Sequence, residues 1–292
     1  MKPSFPAREV LWFLFWLVAL SGPVSAFIVH LGTQPPMMSR MLMWCPGAAA
    51  LLTCLICRIN VKSLGWNWSS SRFMAWGYFL PWLYAIPVYV IVWLLIPGSF
   101  EWGQYSAPLA DQFKITAHPT AFAALFGIPT TMTLIVVGTF AWALGEEIGW
   151  RGFLVPRLYE RLGLVGTSVA SGLLWAVWHY PSLLGSDYNA GTPPLYAVSC
   201  FTVLVVAMSF MMTWLRMASG SLWPCVMMHA AHNTLIQAVL DEMTARNGRA
   251  PYFTTEFGAG TATLATIAAA VLLIKARHTR PHVPAPGATA LT

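Results

Sequence analysis

Gly145-Glu146-Glu147-Ile148-Gly149-Trp150-Arg151-Gly152 sets three charges inside the otherwise apolar run from Thr130 to Val155. A charged side chain near the centre of a bilayer costs roughly 2.5 to 3.5 kcal/mol even on insertion-based scales, so charges in such a run face a protein interior and serve a purpose there. On a helix Glu147 and Arg151, four residues apart, share a face and form a structural ion pair, while Glu146 is turned about 100° away toward another neighbour. The pairing accounts for one carboxylate and leaves Glu146 to be explained.

The apolar setting extends along the whole chain. Of 292 residues 57% are hydrophobic and only 9% charged, with 15 Trp, whereas soluble domains are about one quarter charged. The expectation is an all-α polytopic membrane protein with about eight transmembrane helices, at residues 9–31, 41–57, 73–96, 121–155, 164–184, 196–216, 221–240 and 259–275, since about 20 residues span a bilayer. The fourth run is overlong and carries Pro129 near its start, which suggests a short reentrant piece followed by a tilted helix from Thr130. The chain divides into 1–120 (three N-terminal helices and an exterior loop), a core at 121–245 that carries the intramembrane charges, a last helix within 246–280 and a Pro- and Ala-rich disordered tail at 281–292. The loop from Pro97 to Pro119 carries Glu101, Asp111, Lys114 and His118 without metal-like spacing and reads as a solvated cap.

Basic residues fall between the apolar spans, so the net charge of +6 speaks of topology and not of nucleic acid, for which no site is expected. With the N-terminus inside, Lys2, Arg8, Arg58, Lys62, Arg72, Arg151, Arg157, Arg161, Arg216, Lys275, Arg277 and Arg280 face the cytoplasm, against Arg40, Lys114, Arg246 and Arg249 outside. Both termini are therefore expected in the cytoplasm of a multi-pass protein of the bacterial cytoplasmic membrane. The first span resembles a signal peptide ending at Val24-Ser25-Ala26, but its apolar run continues through Phe27, Ile28 and Val29, which favours a retained helix. Cys45, Cys54, Cys57, Cys200 and Cys225 all lie in apolar stretches, where thiols pack as small hydrophobes, and no disulfide framework is expected.

Three further polar positions lie in the later spans. Trp175-Ala176-Val177-Trp178-His179 and His229-Ala230-Ala231-His232-Asn233 each place their end residues one helical turn apart, so His229 and Asn233 look in one direction and His232 partly elsewhere. If the fourth and fifth spans form a hairpin turning near Leu162 and Gly163, Glu146 lies 17 residues before Gly163 and His179 lies 16 after it. At about 1.5 Å per residue both stand roughly 25 Å of helix from the turn and can meet. His229 and Asn233 follow the turn at Gly220 by 9 and 13 residues, which puts all four in one intramembrane layer, expected to be reached from the cytoplasmic side. A buried carboxylate beside a histidine can take a proton from water. A second histidine and an amide can donate to the oxyanion formed when that water attacks a peptide carbonyl. Glu146, His179 and His229 also have the ligand count of an open zinc site, although no HExxH is present. A proton-coupled transporter using Glu146 and the histidines as a relay is the competing class, without the internal repeats that would favour it.

These motifs, in this order, resemble the CPBP family of intramembrane proteases, which contains the type II CAAX prenyl endopeptidases and the Abi or bacteriocin-processing and immunity proteins. Glu146 to Arg151 fits the family's EExxxR motif, Trp175 to His179 its aromatic-xxx-H motif and His229 to Asn233 its HxxxN motif, over about Thr130 to Leu240. The resemblance implies an intramembrane endopeptidase acting on a membrane-associated peptide or protein substrate within the lipid bilayer. In it Glu146 and His179 would activate water, His229 and Asn233 would stabilise the oxyanion, and Glu147 with Arg151 would hold the site together. Trp175 and His232 would support it from behind. Family members have been described both as metalloproteases and as glutamate-dependent proteases, and a noncatalytic immunity or binding protein is a further alternative. Trp175 departs from the commoner phenylalanine, and a larger ring lining the cavity would narrow it. No eukaryotic targeting signal is recognisable, so prenylated substrates gain no support from the sequence.

Overall fold

The computed structural model describes residues 7–246 and 248–276. Lys2, Arg277, Arg280 and the tail from Pro281 to Thr292 lie outside the described residues. The fold is all-α: among the described residues no strand forms beyond an isolated antiparallel bridge between Phe100 and Thr244. This is a polytopic membrane protein, with five helical stretches long and apolar enough to cross a membrane.

The first three are α1 (Ala7–Leu31), α2 (Pro36–Cys57) and α3 (Ser71–Leu95). Pro36 opens α2, where its missing N–H costs no helical bond. The stretch read as a solvated cap contains an amphipathic helix, α4 (Trp102–Gln112), that buries Tyr105, Ser106 and Ala110. Its periodicity was short enough to be hidden by Pro108.

The fourth stretch runs unbroken from Pro119 to Gly185. It holds α5 (Pro119–Phe122), α6 (Ile128–Thr130), α7 (Val136–Glu147) and α8 (Val155–Gly185), joined by π-helical turns at Ala123–Gly127, Thr131–Ile135 and Ile148–Leu154. The expected reentrant break at Pro129 does not occur, because wider turns on either side absorb the register that proline disturbs. Within α8, Gly163 leaves the helical region with φ 60° and ψ −168°. A residue with a Cβ is strained there, and the chain reverses at that glycine as the hairpin reading requires.

α9 (Pro194–Ser219) ends at Gly220, whose left-handed φ of 68° aims its N–H back at the Arg216 carbonyl. α10 (Trp223–Leu235) continues through a π-turn at Ile236–Leu240, and α11 (Ala259–Ala276) closes the described chain. Each of the eight apolar runs is thus helical, the fourth and fifth being merged and the seventh starting two residues later than expected.

Packing pairs α8 with α9, α10 with α3 and α7, α11 with α9, and α2 with both α1 and α7. Without a hydrophobic drive between helices in lipid, such contacts rely on close backbone approach. At the α2/α7 crossing a Cβ on Gly47 would lie 2.6 Å from the Gly145 carbonyl oxygen, and one on Gly149 would lie 2.6 Å from the Pro46 carbonyl oxygen. That crossing fixes the backbone on which the acidic pair sits.

The connections gather at two ends. At one, Leu222 N–H donates to Gly65 O at 2.8 Å, Trp223 Nε1 to Trp66 O at 2.7 Å and Arg157 Nε to Glu9 at 2.6 Å. At the other, Gln34 N–H donates to Asp187 Oδ1 at 2.8 Å, Glu101 N–H to Met243 O at 2.9 Å and the Tyr188 hydroxyl to Glu256 Oε2 at 2.8 Å. The Gly163 and Gly220 turns belong to the first end.

Candidate active site

The π-turn after Glu147 keeps Glu147 and Arg151 on one face while turning Glu146 to another. Arg151 Nη1 donates to Glu147 Oε1 at 3.0 Å, with both side chains buried. The same oxygen receives His229 Nδ1 at 2.9 Å. A carboxylate oxygen only accepts, so Nδ1 of His229 carries the hydrogen and Nε2 is the nitrogen left to meet a substrate. Arg151 is held further by Ser209 Oγ, which accepts from Nη2 at 3.1 Å, and its carbonyl accepts from Arg216 Nε at 3.0 Å. The ion pair expected between Glu147 and Arg151 forms, and it also aims a histidine.

Trp175 is the hub of the other half. Its indole N–H donates to Glu146 Oε2 at 2.7 Å, and its carbonyl accepts Nδ1–H of His179 at 2.9 Å. Its ring lies under the Arg151 guanidinium, 4.1 Å from carbon to centroid, and meets the His229 ring edge-on at 5.3 Å. One oxygen of Glu146 is thereby engaged and the other left, and Nε2 of His179 is likewise free to act. The indole that was expected only to narrow the cavity is a hydrogen-bond donor to its carboxylate, which a phenylalanine cannot be.

Glu146, His179, His229 and Asn233 all line one cavity of about 110 Å³. The Asn233 amide makes no side-chain hydrogen bond among the described residues. Trp175 and His232 line the same space, so His232, which was expected to look partly elsewhere, reaches the cavity as well. Its Nε2–H donates to Glu256 Oε1 at 3.0 Å and its Nδ1 meets the Tyr84 hydroxyl at 2.6 Å.

Glu256 had not been legible as a site residue. It sits in the connection before α11, lines the cavity, and also accepts from Gln237 Nε2 at 3.0 Å and from Tyr188. Burial works against its charge, but the bonds from His232, Tyr188 and Gln237 outweigh that and hold its carboxyl down at about 2. Neighbouring Asp241 goes the other way: burial pushes it up to about 7 against a hydrogen bond from Tyr89, and the charges of Glu256 and Glu242 add to the rise. The partners of Glu256 come from the connection after α8 and from α10 with its π-turn, so no local spacing announces them. A glutamate in a short loop between two apolar runs was the available signal.

The cavity lining draws Gln34, Ser39, Tyr188, Gln237 and Glu256 from the end opposite the Gly163 and Gly220 turns. Counting about 25 Å of helix from those turns already carries the acidic pair across most of a bilayer.

The zinc alternative meets a geometric test. Among the described residues no group of three or more His, Cys, Asp or Glu side chains is arranged to hold a metal ion. Glu146, His179 and His229 each spend one donor atom on a neighbouring protein group. Each keeps a second donor atom, as metal-bound histidines do when a neighbour holds their other ring nitrogen. The cysteines Cys45, Cys54, Cys57, Cys200 and Cys225 are unpaired thiols.

Comparison with known proteins bears on the same segment. A family model described as type II CAAX prenyl endopeptidase Rce1-like matches residues 128–235. Over this segment the chain is similar to the Rce1-like family. The Rce1-like segment contains both acidic residues, Trp175, His179, His229 and Asn233, and omits α1, α2, α3 and Glu256. A curated relative, CAAX prenyl protease 2 of Methanococcus maripaludis, is 26% identical over 91 residues, which is 30% of this chain and 32% of that protein. The match thus spans about a third of the relative's length.

Proposed function

We propose that the chain is an intramembrane endopeptidase that hydrolyses a peptide bond in a membrane-associated protein or peptide. The observation that carries this reading is the single cavity into which Glu146, His179, His229 and Asn233 converge, each with a polar atom not consumed by the fold. The similarity of residues 128–235 to the Rce1-like family supports the same reaction class.

In this mechanism the free oxygen of Glu146 takes a proton from a water molecule, with His179 Nε2 orienting that water or sharing the proton. The resulting hydroxide attacks the scissile carbonyl carbon, and its electron pair is displaced onto oxygen. The Asn233 amide and the Nε2–H of a protonated His229 donate to that oxyanion, with Glu147 as the counter-charge behind the imidazolium. Collapse breaks the C–N bond, and the proton held by Glu146 and His179 passes to the leaving amine. One water is consumed, and a new carboxylate and amine are released without a covalent intermediate. The low-dielectric surroundings strengthen every one of these contacts.

The test is cleavage of a quenched fluorescent peptide library by purified protein, wild type beside Glu146→Ala and His179→Ala, each with and without a chelator. Cleavage by wild type alone supports the reading. Undiminished cleavage by Glu146→Ala would sink it, and proton-coupled flux without product would favour a relay instead.

A further inference from the structure

We propose that Glu256 is a positioning residue of the reaction: it clasps Tyr188, the ring beside His179, to the helix that carries His229 and Asn233, and so sets the distance between the two halves of the site. The positioning role rests on the endopeptidase reading; the clasp itself does not.

His179 is held in part by a residue that no helix fixes. Its Nδ1–H is tied to the Trp175 carbonyl, a single bond about which the ring can still tip unless neighbours flank it. Trp178 of α8 meets it edge-on with centroids 4.7 Å apart, and Phe201 of α9 lies against it at 4.9 Å. The third neighbour is Tyr188, nearly parallel to the imidazole at 23° with centroids 6.4 Å apart. Tyr188 stands in the connection between α8 and α9. Its place, and with it the attitude of His179, depends on what holds its far end.

That end is held by residues 256 and 257. The Tyr188 hydroxyl donates to Glu256 Oε2 at 2.8 Å, and its ring meets Phe257 edge-on at 5.0 Å, while Phe257 stacks on Phe201 at 5.9 Å. The other carboxylate oxygen, Oε1, accepts from His232 Nε2 and from Gln237 Nε2, each at 3.0 Å. His232 directly precedes Asn233, and Gln237 follows it by four residues. Behind His232 the buried Tyr84 hydroxyl of α3 closes the chain at 2.6 Å. One side chain thus ties the water-activating half of the site, through Oε2, to the oxyanion half, through Oε1. Three donors converging on two oxygens call for a group that only accepts, which is an ionised carboxylate.

The backbone beside the clasp is strained. Thr255 has φ 63°, a left-handed conformation that a β-branched residue keeps only where its surroundings over-determine it, as they do at functional sites. Here they do: Thr255 N–H donates to the Tyr89 hydroxyl at 2.8 Å, and its Oγ1 accepts from Phe257 N–H at 3.1 Å. Tyr89 is itself buried in α3 and donates to Asp241. The turn so held brings Glu256 and Phe257 onto the same tyrosine. Gln237, Glu256 and Phe257 lie outside residues 128–235, so the similarity over that segment assigns them no role.

The experiment uses the full chain in detergent with the best peptide from the library. Tyr188→Phe opens the clasp and keeps the ring, and Glu256→Leu removes all three bonds. Glu256→Gln keeps them, because its amide oxygen can accept from His232 and Gln237 while its NH2 donates to the Tyr188 hydroxyl. A misplacement of about 1 Å can cost about 100-fold, so Tyr188→Phe and Glu256→Leu should lower kcat roughly 10- to 100-fold with KM changed less than about twofold. Glu256→Gln should recover most of that rate. Amide hydrogen exchange, which needs no substrate, should rise at residues 186–193 in Tyr188→Phe and Glu256→Leu and not in Glu256→Gln. Melting is recorded for each variant, and Tyr188→Phe, the mildest change, decides the matter where Glu256→Leu unfolds. Wild-type kcat in Tyr188→Phe and Glu256→Leu, beside an inactive Glu146→Ala, overturns the positioning role and leaves the endopeptidase reading standing. A Glu256→Gln as slow as Glu256→Leu overturns it as well, since charge and not geometry would then be what the site needs. Unchanged exchange at 186–193 overturns the clasp. If wild type cuts no peptide, the endopeptidase reading and the positioning role fall together, and exchange still decides the clasp.

Discussion

Trp175→Phe isolates a single hydrogen atom in the candidate site. Phenylalanine keeps an aromatic face under Arg151, now 4.1 Å from the indole centroid, and an edge near His229, while deleting the N–H that meets Glu146 at 2.7 Å. A hydrogen bond to a charged group contributes about 1.5 to 3 kcal/mol, so losing the group that fixes the base should slow cleavage roughly 10- to 150-fold. Because the bond orients Glu146 and does not hold the peptide, the loss should fall on kcat, with KM changed less than about twofold. The assay is steady-state cleavage of the best peptide from the library, with melting in detergent recorded alongside. Trp175→Ala, which also removes the ring, should lose both activity and stability. If Trp175→Phe cuts at the wild-type rate while Trp175→Ala fails, the indole contributes volume only and the positioning argument is wrong.

Four other outcomes follow from the geometry. Glu147→Ala leaves the Arg151 guanidinium without its acid in a buried setting and frees His229, so thermal unfolding should report a loss of about 3 to 5 kcal/mol together with activity. Gly145→Ala forces a Cβ to 2.7 Å from the Met43 carbonyl oxygen and 2.9 Å from Trp44 Cα; overpacking of this kind costs about 1 to 3 kcal/mol, visible as a lowered melting temperature before any substrate is added. Asp241 titrates near 7 in the folded chain against an ordinary 3.8, so between those values the folded state holds a proton that the unfolded state has shed. Stability should therefore fall as pH rises from about 4 to 7, and Asp241→Asn should flatten that slope in a pH series of melting curves. Glu256 has the opposite sign: held at about 2 against 4.5, its contribution is complete above 4.5 and lost as pH falls toward 2, a loss that Glu256→Gln should abolish.

What could be read from sequence was what helical periodicity and insertion cost dictate. The apolar runs, the reversal at Gly163 and the meeting of Glu146 with Trp175 and His179 follow from residue spacing and a constant rise. Glu147 and Arg151 had to pair because neither can stand alone in an apolar interior. The role of Trp175 as a donor was hidden because its carboxylate partner lies 29 residues away across the hairpin, and ring size was the more visible property. Glu256 gathers His232, Tyr188 and Gln237 by long-range closure, for which no spacing rule exists. Residue counts from a turn give depth along a helix but not which connections wall the cavity; that depends on how those at 32–35, 186–193 and 241–258 fold over the bundle. Pro129 failed to break its helix for a related reason, since a π-turn is a response of the assembled bundle and leaves no signature of its own.

The glycine crossing of α2 over α7 limits how this architecture can be recombined. A methyl on Gly47 would strike the Gly145 carbonyl oxygen, one on Gly145 would strike Met43 and Trp44, and one on Gly149 would strike Pro46. Yet α2 lies outside residues 128–235. The Rce1-like segment is therefore a module by resemblance and not by packing. A graft that carries the acidic pair into a foreign N-terminal half will keep its chemistry only if the donor also supplies a glycine at position 47 and an α2 backbone that passes as close to positions 145 and 149.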